Sequence, residues 1–123
     1  MDPNVTGWLV KGAFAMHGIG MLGAAGYLPF SIRNPKADFV GASWLLGSGM
    51  AAVVVGVAVW AIAGAGFVAA AVGLYQGAEW WRTAAWVGSL ATLLAVGLWV
   101  GKVPFGVYVG AALAAGTIGY LVR

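Results

Sequence analysis

Long apolar stretches, separated by short polar or glycine-rich breaks, make up most of the chain from residue 7 onward. A run of about 20 mainly apolar residues is the length that a helix needs to cross a bilayer. The pattern therefore predicts an all-α, polytopic transmembrane bundle of four helices, folded as one domain over residues 1–123. The expected helices cover about 7–29, 50–75, 81–100 and 104–122.

The uncharged stretch from Phe39 to Gly77 is too long for a single span. As one helix it would extend roughly 58 Å, against a hydrocarbon core of ~30 Å. Gly47-Ser48-Gly49 is the expected break, because closely spaced glycines favour turns. A short interfacial or re-entrant segment would then lie near 39–46. The alternative is two short spans with a turn near Gly64-Ala65-Gly66, which gives five spans instead of four.

The composition indicates which solvent surrounds these helices. The chain is 63% hydrophobic and 7% charged, whereas about a quarter of the residues of a soluble domain are charged. Lipid must therefore cover most of the surface, and we expect an integral membrane protein. The apolar run 12–32 is longer than the ~7–15 residues of a signal-peptide core, so we interpret it as the first span.

The charged residues fit the same interpretation. The net charge is +3, but all the basic residues except Lys11 lie at or near expected helix ends, as membrane proteins place them. Nucleic-acid binders instead cluster them on one face, so no nucleic-acid partner is expected. The positive-inside rule does not decide the orientation, because the two sides carry equal basic sets: Lys11, Arg82 and Arg123 against Arg33, Lys36 and Lys102.

Glycine and alanine recur at a spacing of four residues along two of the expected helices. Gly106, Gly110 and Ala114 form such a stripe on the fourth helix, and Ala52 and Gly56 form one on the second. Small residues at this spacing let helix backbones approach closely inside a membrane. We expect close packing within the bundle, with a homo-oligomer interface as the alternative.

Two ionisable residues, Lys11 and His17, lie inside an expected span, where such groups are costly and often functional. Lys11 is only about 6 Å inside the first helix, so its side chain can extend to the interface. His17 lies near mid-depth. It is either a neutral imidazole bonded to a neighbouring helix, or a proton donor or acceptor, a contact for a lipid-soluble ligand, or a haem ligand.

Polar side chains concentrate in one half of the expected bundle, where a cavity with His17 at its floor would open. Glu79 would pair with Lys11 or Arg82 at the rim. Ser89 and Thr92 share a face of the third helix but could each bond their own backbone, and Trp60 could simply be a core residue. The candidate ligand-binding residues are His17, Trp60, Ser89, Thr92, Thr117 and Tyr120.

The sequence resembles the DoxX-like group of small four-helix membrane proteins. The resemblance rests on Lys11 with His17-Gly18, on Leu93, Leu94 and Trp99, and on the block Trp60, Gly66-Phe67, Gly73-Leu74, Trp80-Trp81-Arg82 and Ala85. The family usually has Arg where Lys11 stands. The resemblance implies a bundle in a prokaryotic cell membrane, and some members are subunits of quinone-linked oxidoreductases.

Three functions compete on this basis. The first is binding of a lipid-soluble ligand, such as a quinone or isoprenoid-like molecule, or service as a hydrophobic subunit of a larger membrane assembly. The second is an intramembrane isomerase-type enzyme with His17 as acid/base and Glu79 or Lys11 assisting. A channel or carrier ranks last, because no acidic residue lies within a span. No metal site is expected, and haem is disfavoured because His17 is the one histidine.

Overall fold

The computed structural model of the chain describes residues 3–34, 36 and 40–123. Within these residues the structure is all-α, with four helices and no named strand: α1 (Pro3–Ser31), α2 (Met50–Gln76), α3 (Trp81–Leu98) and α4 (Phe105–Leu121). The predicted all-α architecture and helix number are confirmed. Because α2 runs unbroken through Gly64-Ala65-Gly66, the alternative with a turn there is wrong.

Two of the predicted helix boundaries are set by glycine. Gly47 has φ +77°, a left-handed conformation that suits glycine, and α2 begins just after it at Met50. At the other end of α2, Gly77 has φ +69°. The N–H of Ala78 bonds Gly73 O at 2.9 Å, and that of Gly77 bonds Leu74 O at 3.2 Å. This pair of bonds is the Schellman motif, which satisfies the last carbonyls of a helix.

Other boundaries differ from the predicted ones by a few residues. The first helix begins at Pro3 and continues through Pro29 to Ser31, although proline was expected to mark its end. The N–H of Ile32 still bonds Leu28 O at 2.9 Å, so the helical hydrogen bonds resume directly after the proline. Pro104 precedes α4 as its N-cap instead of opening it. Such small differences are ordinary at helix ends.

Residues 40–49 form a loop that closes one end of the bundle. The Ser43 hydroxyl donates to Leu98 O at 2.6 Å, and the Trp44 indole N–H donates to Gly97 O at 2.7 Å. These acceptors belong to the last turn of α3, whose carbonyls lack partners within the helix. The Trp99 indole in turn donates to Gly41 O at 2.8 Å. A separate segment before α2 was predicted near 39–46, and residues 40–46 do lie between α1 and α2. That this segment is interfacial or re-entrant stays a prediction, and residue 39 lies outside the described residues.

Glycine contacts set the spacing between the first three helices. A Cβ at Gly18 would lie 2.8 Å from Gly64 O, and one at Gly66 would lie 2.6 Å from Gly88 Cα. Normal carbon contacts are about 3.5–4.0 Å, so only glycine permits these approaches. Consecutive helices pack against each other, and α4 packs chiefly against α3.

The predicted small-residue stripes are confirmed on α2 and partly wrong on α4. Ala52 and Gly56 are buried, as are Gly110 and Ala114, but Gly106 is exposed with open space around it. A strict spacing of four drifts around a helix by about 40° per step, because a turn takes 3.6 residues. The buried stripe of α4 therefore continues from Gly110 and Ala114 to Thr117.

The middle of α3 buries two polar side chains and exposes two large apolar ones. The polar residues Ser89 and Thr92 are 0% exposed, whereas the apolar residues Leu90 and Leu94 are 56% and 52% exposed. In water, apolar burial drives folding and polar groups face outward. Among the described residues, α2 is the one helix long and apolar enough to cross a membrane, and α4 is a shorter apolar helix.

Candidate ligand-binding cavity

A cavity of ≈ 490 Å³ lies between the first turns of α1 and the last turns of α4. Its size falls in the range of about 300–1,000 Å³ that is typical of small-molecule sites. Exposed residues such as Gly116 and Tyr120 are at its border, so it opens to the surroundings. The cavity is lined by Thr6, Gly7, Val10, Lys11, Phe14, Leu74, Trp81, Leu113, Gly116, Thr117 and Tyr120.

The lining is mainly apolar, and its charged group, Lys11, lies on the first turns of α1. Tyr120 and Leu74 lie near the ends of α4 and α2 at the outer end of the bundle, whereas Phe14 and Leu113 lie further inside. From residue 6 to residue 14 the cavity follows α1 for about 12 Å at 1.5 Å per residue. This polarity suits an amphiphilic molecule whose apolar part enters first.

Phe14 closes the cavity at its inner end, where His17 was expected. The Phe14 ring is 3% exposed and meets the Phe67 ring edge-on, with their centroids 5.1 Å apart. His17 contacts the same Phe67 ring, at 4.8 Å, and is not among the residues that line the cavity. The predicted cavity exists, but the expectation that His17 forms its floor is wrong. Phe14 is about one helical turn nearer the outer end and lines the cavity there.

His17 instead connects three helices. Its Nε2 lies 3.1 Å from Thr92 Oγ1 on α3, in a hydrogen bond whose donor depends on which ring nitrogen carries the proton. On α4, Gly110 lies against the ring so closely that a Cβ there would overlap Cε1 and Nδ1. This arrangement matches the expected alternative of an imidazole bonded to a neighbouring helix. The side chain as a whole is partly buried.

We expect the Thr92→Val variant to lose about 1 kcal/mol of unfolding free energy. Valine keeps the shape of threonine but leaves His17 Nε2 without its partner, and bonds between membrane helices are worth about 0.6–2 kcal/mol. Thermal unfolding in a mild detergent measures the change. Thr83→Val is the matched control, because Thr83 is on the same helix and is exposed. Equal melting temperatures for the two variants would show that the bond does not stabilise the fold.

Lys11 occupies the border between the cavity and a second, smaller groove. Its ammonium lies 4.9 Å from the centre of the Trp8 ring and 6.0 Å from that of Tyr75. The groove, of ≈ 330 Å³, lies between α1 and α2. Among the described residues no carboxylate pairs with Lys11. Glu79 instead pairs with Arg82, at 3.7 Å. Of the two partners predicted for Glu79, the structure therefore selects Arg82.

The six predicted ligand-binding residues lie in three different places. Thr117 and Tyr120 line the cavity, although the Thr117 hydroxyl donates to its own backbone at Leu113 O, 2.8 Å away. His17 and Thr92 pair beneath Phe14. Trp60 and Ser89 are fully buried, and neither Trp60 Nε1 nor Ser89 Oγ has a hydrogen-bond partner in the described part of the chain. Whether any of the six binds a ligand stays a prediction.

Sequence reasoning missed the apolar residues of the cavity wall, above all Phe14, Leu74 and Leu113. The predicted site residues were chosen chiefly for their polar groups, whereas a site for a lipid-soluble molecule is mainly apolar. A usable signal was present, because Lys11, Phe14 and His17 recur at a spacing of three and so share one face of α1.

The three candidate acid–base residues are not brought together. Glu79 is highly exposed beyond the end of α2, while His17 is about 9 Å further along α1 than Lys11. Over the described ranges, no group of three or more His, Cys, Asp or Glu residues is placed to hold a metal ion. The structure therefore does not bring His17, Glu79 and Lys11 together as one acid–base set.

Compared with known proteins, the chain matches no family model, no curated protein and no solved structure. The resemblance to the DoxX-like group therefore stays a prediction.

Proposed function

We propose that the chain is a four-span integral membrane protein that binds a lipid-soluble ligand in the cavity between α1 and α4. The observation that carries this proposal is the mainly apolar cavity with polar groups at its outer end. A water-filled site would favour a polar lining. An isoprenoid-like chain or a quinone binds most favourably between apolar walls, because its apolar surface is then removed from water. The DoxX-like group, which the sequence resembles, includes subunits of quinone-linked oxidoreductases, and this makes a quinone one candidate ligand.

Exposure of apolar side chains supports the membrane location. In the most apolar window of α2, 39% of the residues are buried inside the protein, whereas the core helix of a soluble protein is mostly buried. The outward face of α2 includes Val54, Ile62 and Val72, and the exposed residues of α3 include Leu90 and Leu94. Contiguous apolar surface of this kind calls for a lipid environment.

The helix lengths and charges support four crossings. At 1.5 Å per residue, α1 and α2 extend about 40 Å or more, and α3 and α4 about 25 Å. A hydrocarbon core of ~30 Å accommodates the longer pair by tilt and the shorter pair by local thinning. Exposed charges lie beyond the helices or in their terminal turns, at Arg33, Lys36, Glu79, Arg82 and Lys102. Basic residues remain equally divided between the two ends, so the orientation stays undecided.

Filling the cavity tests the proposed function. Gly116 lines the cavity, and a side chain there would meet open space, so Gly116→Phe fills the site without disturbing the backbone. Gly119→Phe is the matched control, since Gly119 is on the same helix, has open space and does not line the cavity. We expect Gly116→Phe to lower the occupancy of a co-purified lipid at least about tenfold, or 1.4 kcal/mol. Native mass spectrometry from mild detergent measures the occupancy of both variants.

The same experiment separates the competing functions. If the chain is instead a hydrophobic subunit of a larger assembly, the mass spectra would show bound partner chains rather than a bound small molecule. Gly116→Phe would then leave those partner chains attached. The isomerase alternative requires a substrate that reaches His17, which does not line the cavity, whereas Phe14 does. Turnover that His17→Gln abolishes, with the fold and the bound lipid preserved, would establish the enzyme and contradict a purely binding role.

A further inference from the structure

We propose that the ligand of this cavity is an amphiphile with one apolar chain and an anionic head, a phosphate or carboxylate, which Lys11 binds. This inference rests on the proposed function and adds the chemistry of the head group. It follows from three features of the cavity: Lys11, which no carboxylate of the described residues pairs with, the sign of the described charges around it, and the apolar walls.

Lys11 is the cation that lines the cavity itself. It is partly buried, and within the described residues its ammonium lies over the faces of Trp8 and Tyr75. Aromatic faces hold an ammonium group but do not neutralise its charge. A partly buried cation without a carboxylate partner gains most from an anion, because charge-assisted hydrogen bonds are about twice as strong as neutral ones.

The surrounding charges favour an anion as well. Arg82 lies 5.4 Å from the centre of the Trp81 ring, and Arg123 lies 5.9 Å from that of Tyr120. Both rings belong to residues of the cavity lining, and their centroids are 6.4 Å apart. Among the described side chains at this end, Glu79 is the one carboxylate, and Arg82 already pairs with it. Lys11 and Arg123 therefore leave a positive rim, which attracts anionic ligands.

The apolar part of the cavity explains why the anion must carry a chain. Val10, Phe14, Leu74 and Leu113 supply walls that a free phosphate ion would not contact. Contact with these walls is favourable only for the apolar part of a ligand, because burying apolar surface removes it from water. The opening beside Gly116 and Tyr120 admits a chain from the side of the bundle.

A comparison of three probes tests the inference: farnesyl phosphate, farnesol and inorganic phosphate. We expect the protein in a non-ionic detergent to bind farnesyl phosphate about tenfold more tightly than farnesol, as loss of a charged hydrogen bond implies. Lys11→Gln should abolish this preference without weakening farnesol binding, and Lys11→Arg should retain it. Lys102→Gln is the control for net charge, because Lys102 lies at the opposite end of the bundle, and it should change neither affinity. Tryptophan fluorescence titration measures all four proteins.

Each contrary result has a distinct meaning. Equal affinities for farnesol and farnesyl phosphate would overturn the anionic head while leaving the lipid-binding function intact. A preference that persists in Lys11→Gln would overturn the role of Lys11. Competition by inorganic phosphate at the same concentration as farnesyl phosphate would overturn the requirement for a chain. Failure of both lipids to bind would overturn the proposed function itself.

Discussion

Replacement of Ile62 by aspartate is expected to make membrane insertion of α2 less favourable by about 3–4 kcal/mol. Ile62 lies at the middle of α2 and is 48% exposed. If lipid surrounds this face, the carboxylate must be protonated or draw water into the bilayer, and either is costly. The fraction of α2 that inserts, followed with glycosylation reporters in its flanking loops, measures the effect.

The matched control is Gln76→Asp, at the exposed last residue of the same helix. This position lies at the expected interface, where a carboxylate keeps its hydration, so insertion should change little. A water-soluble bundle would respond differently, because exposed substitutions in soluble proteins usually change stability by less than about 0.5 kcal/mol. Equal insertion of the two variants would therefore contradict the four-span membrane assignment.

Replacement of Gly66 by leucine is expected to reduce the unfolding free energy by about 3 kcal/mol or more. A Cβ at Gly66 would lie 2.6 Å from both Gly88 Cα and Gly88 N, and 3.0 Å from Ala84 O. All three are backbone atoms, which cannot rotate away, so α2 and α3 would have to separate by about 1 Å. Packing at the helix interface supplies much of the stability of a membrane bundle, and this separation removes it.

Ala65→Leu provides the control for Gly66→Leu, because Ala65 is the preceding residue and is exposed. The added side chain then meets the surroundings and leaves the α2–α3 contact unchanged. Melting temperatures in one detergent, followed by tryptophan fluorescence, should fall strongly for Gly66→Leu and little for Ala65→Leu. A similar fall in both would show that the Gly66–Gly88 contact is not what holds these helices together.

Much of the fold could be predicted because its causes are local. The break before Met50 follows from Gly47, and the turn after Gln76 follows from Gly77, since both glycines have positive φ. The hydrophobic run predicted the bounds of α2 to within one residue of those observed. The extension of α1 through Pro29 was missed, because whether a chain continues as a helix past proline depends on neighbours that supply its lost contacts.

The candidate site was predictable only in part. Counting positions along antiparallel helices predicts that polar groups gather at one end of the bundle. The ring contacts Trp8–Tyr75 and Trp81–Tyr120 agree with this antiparallel arrangement. The position of Phe14 between the cavity and His17 does not follow from such counting. It depends on how α1 is rotated towards α4, which the exact packing of His17 against Gly110 decides.

By itself, the sequence predicted most of the secondary structure, because long apolar runs with so few charges favour helices that satisfy their own backbone groups. Only the tertiary structure decided which side chains meet. Thr92 became the partner of His17, Arg82 that of Glu79, and Phe14 the inner wall of the cavity. The reason is physical: composition and periodicity act along the chain, whereas rotation and spacing of helices come from side-chain packing between segments far apart in sequence.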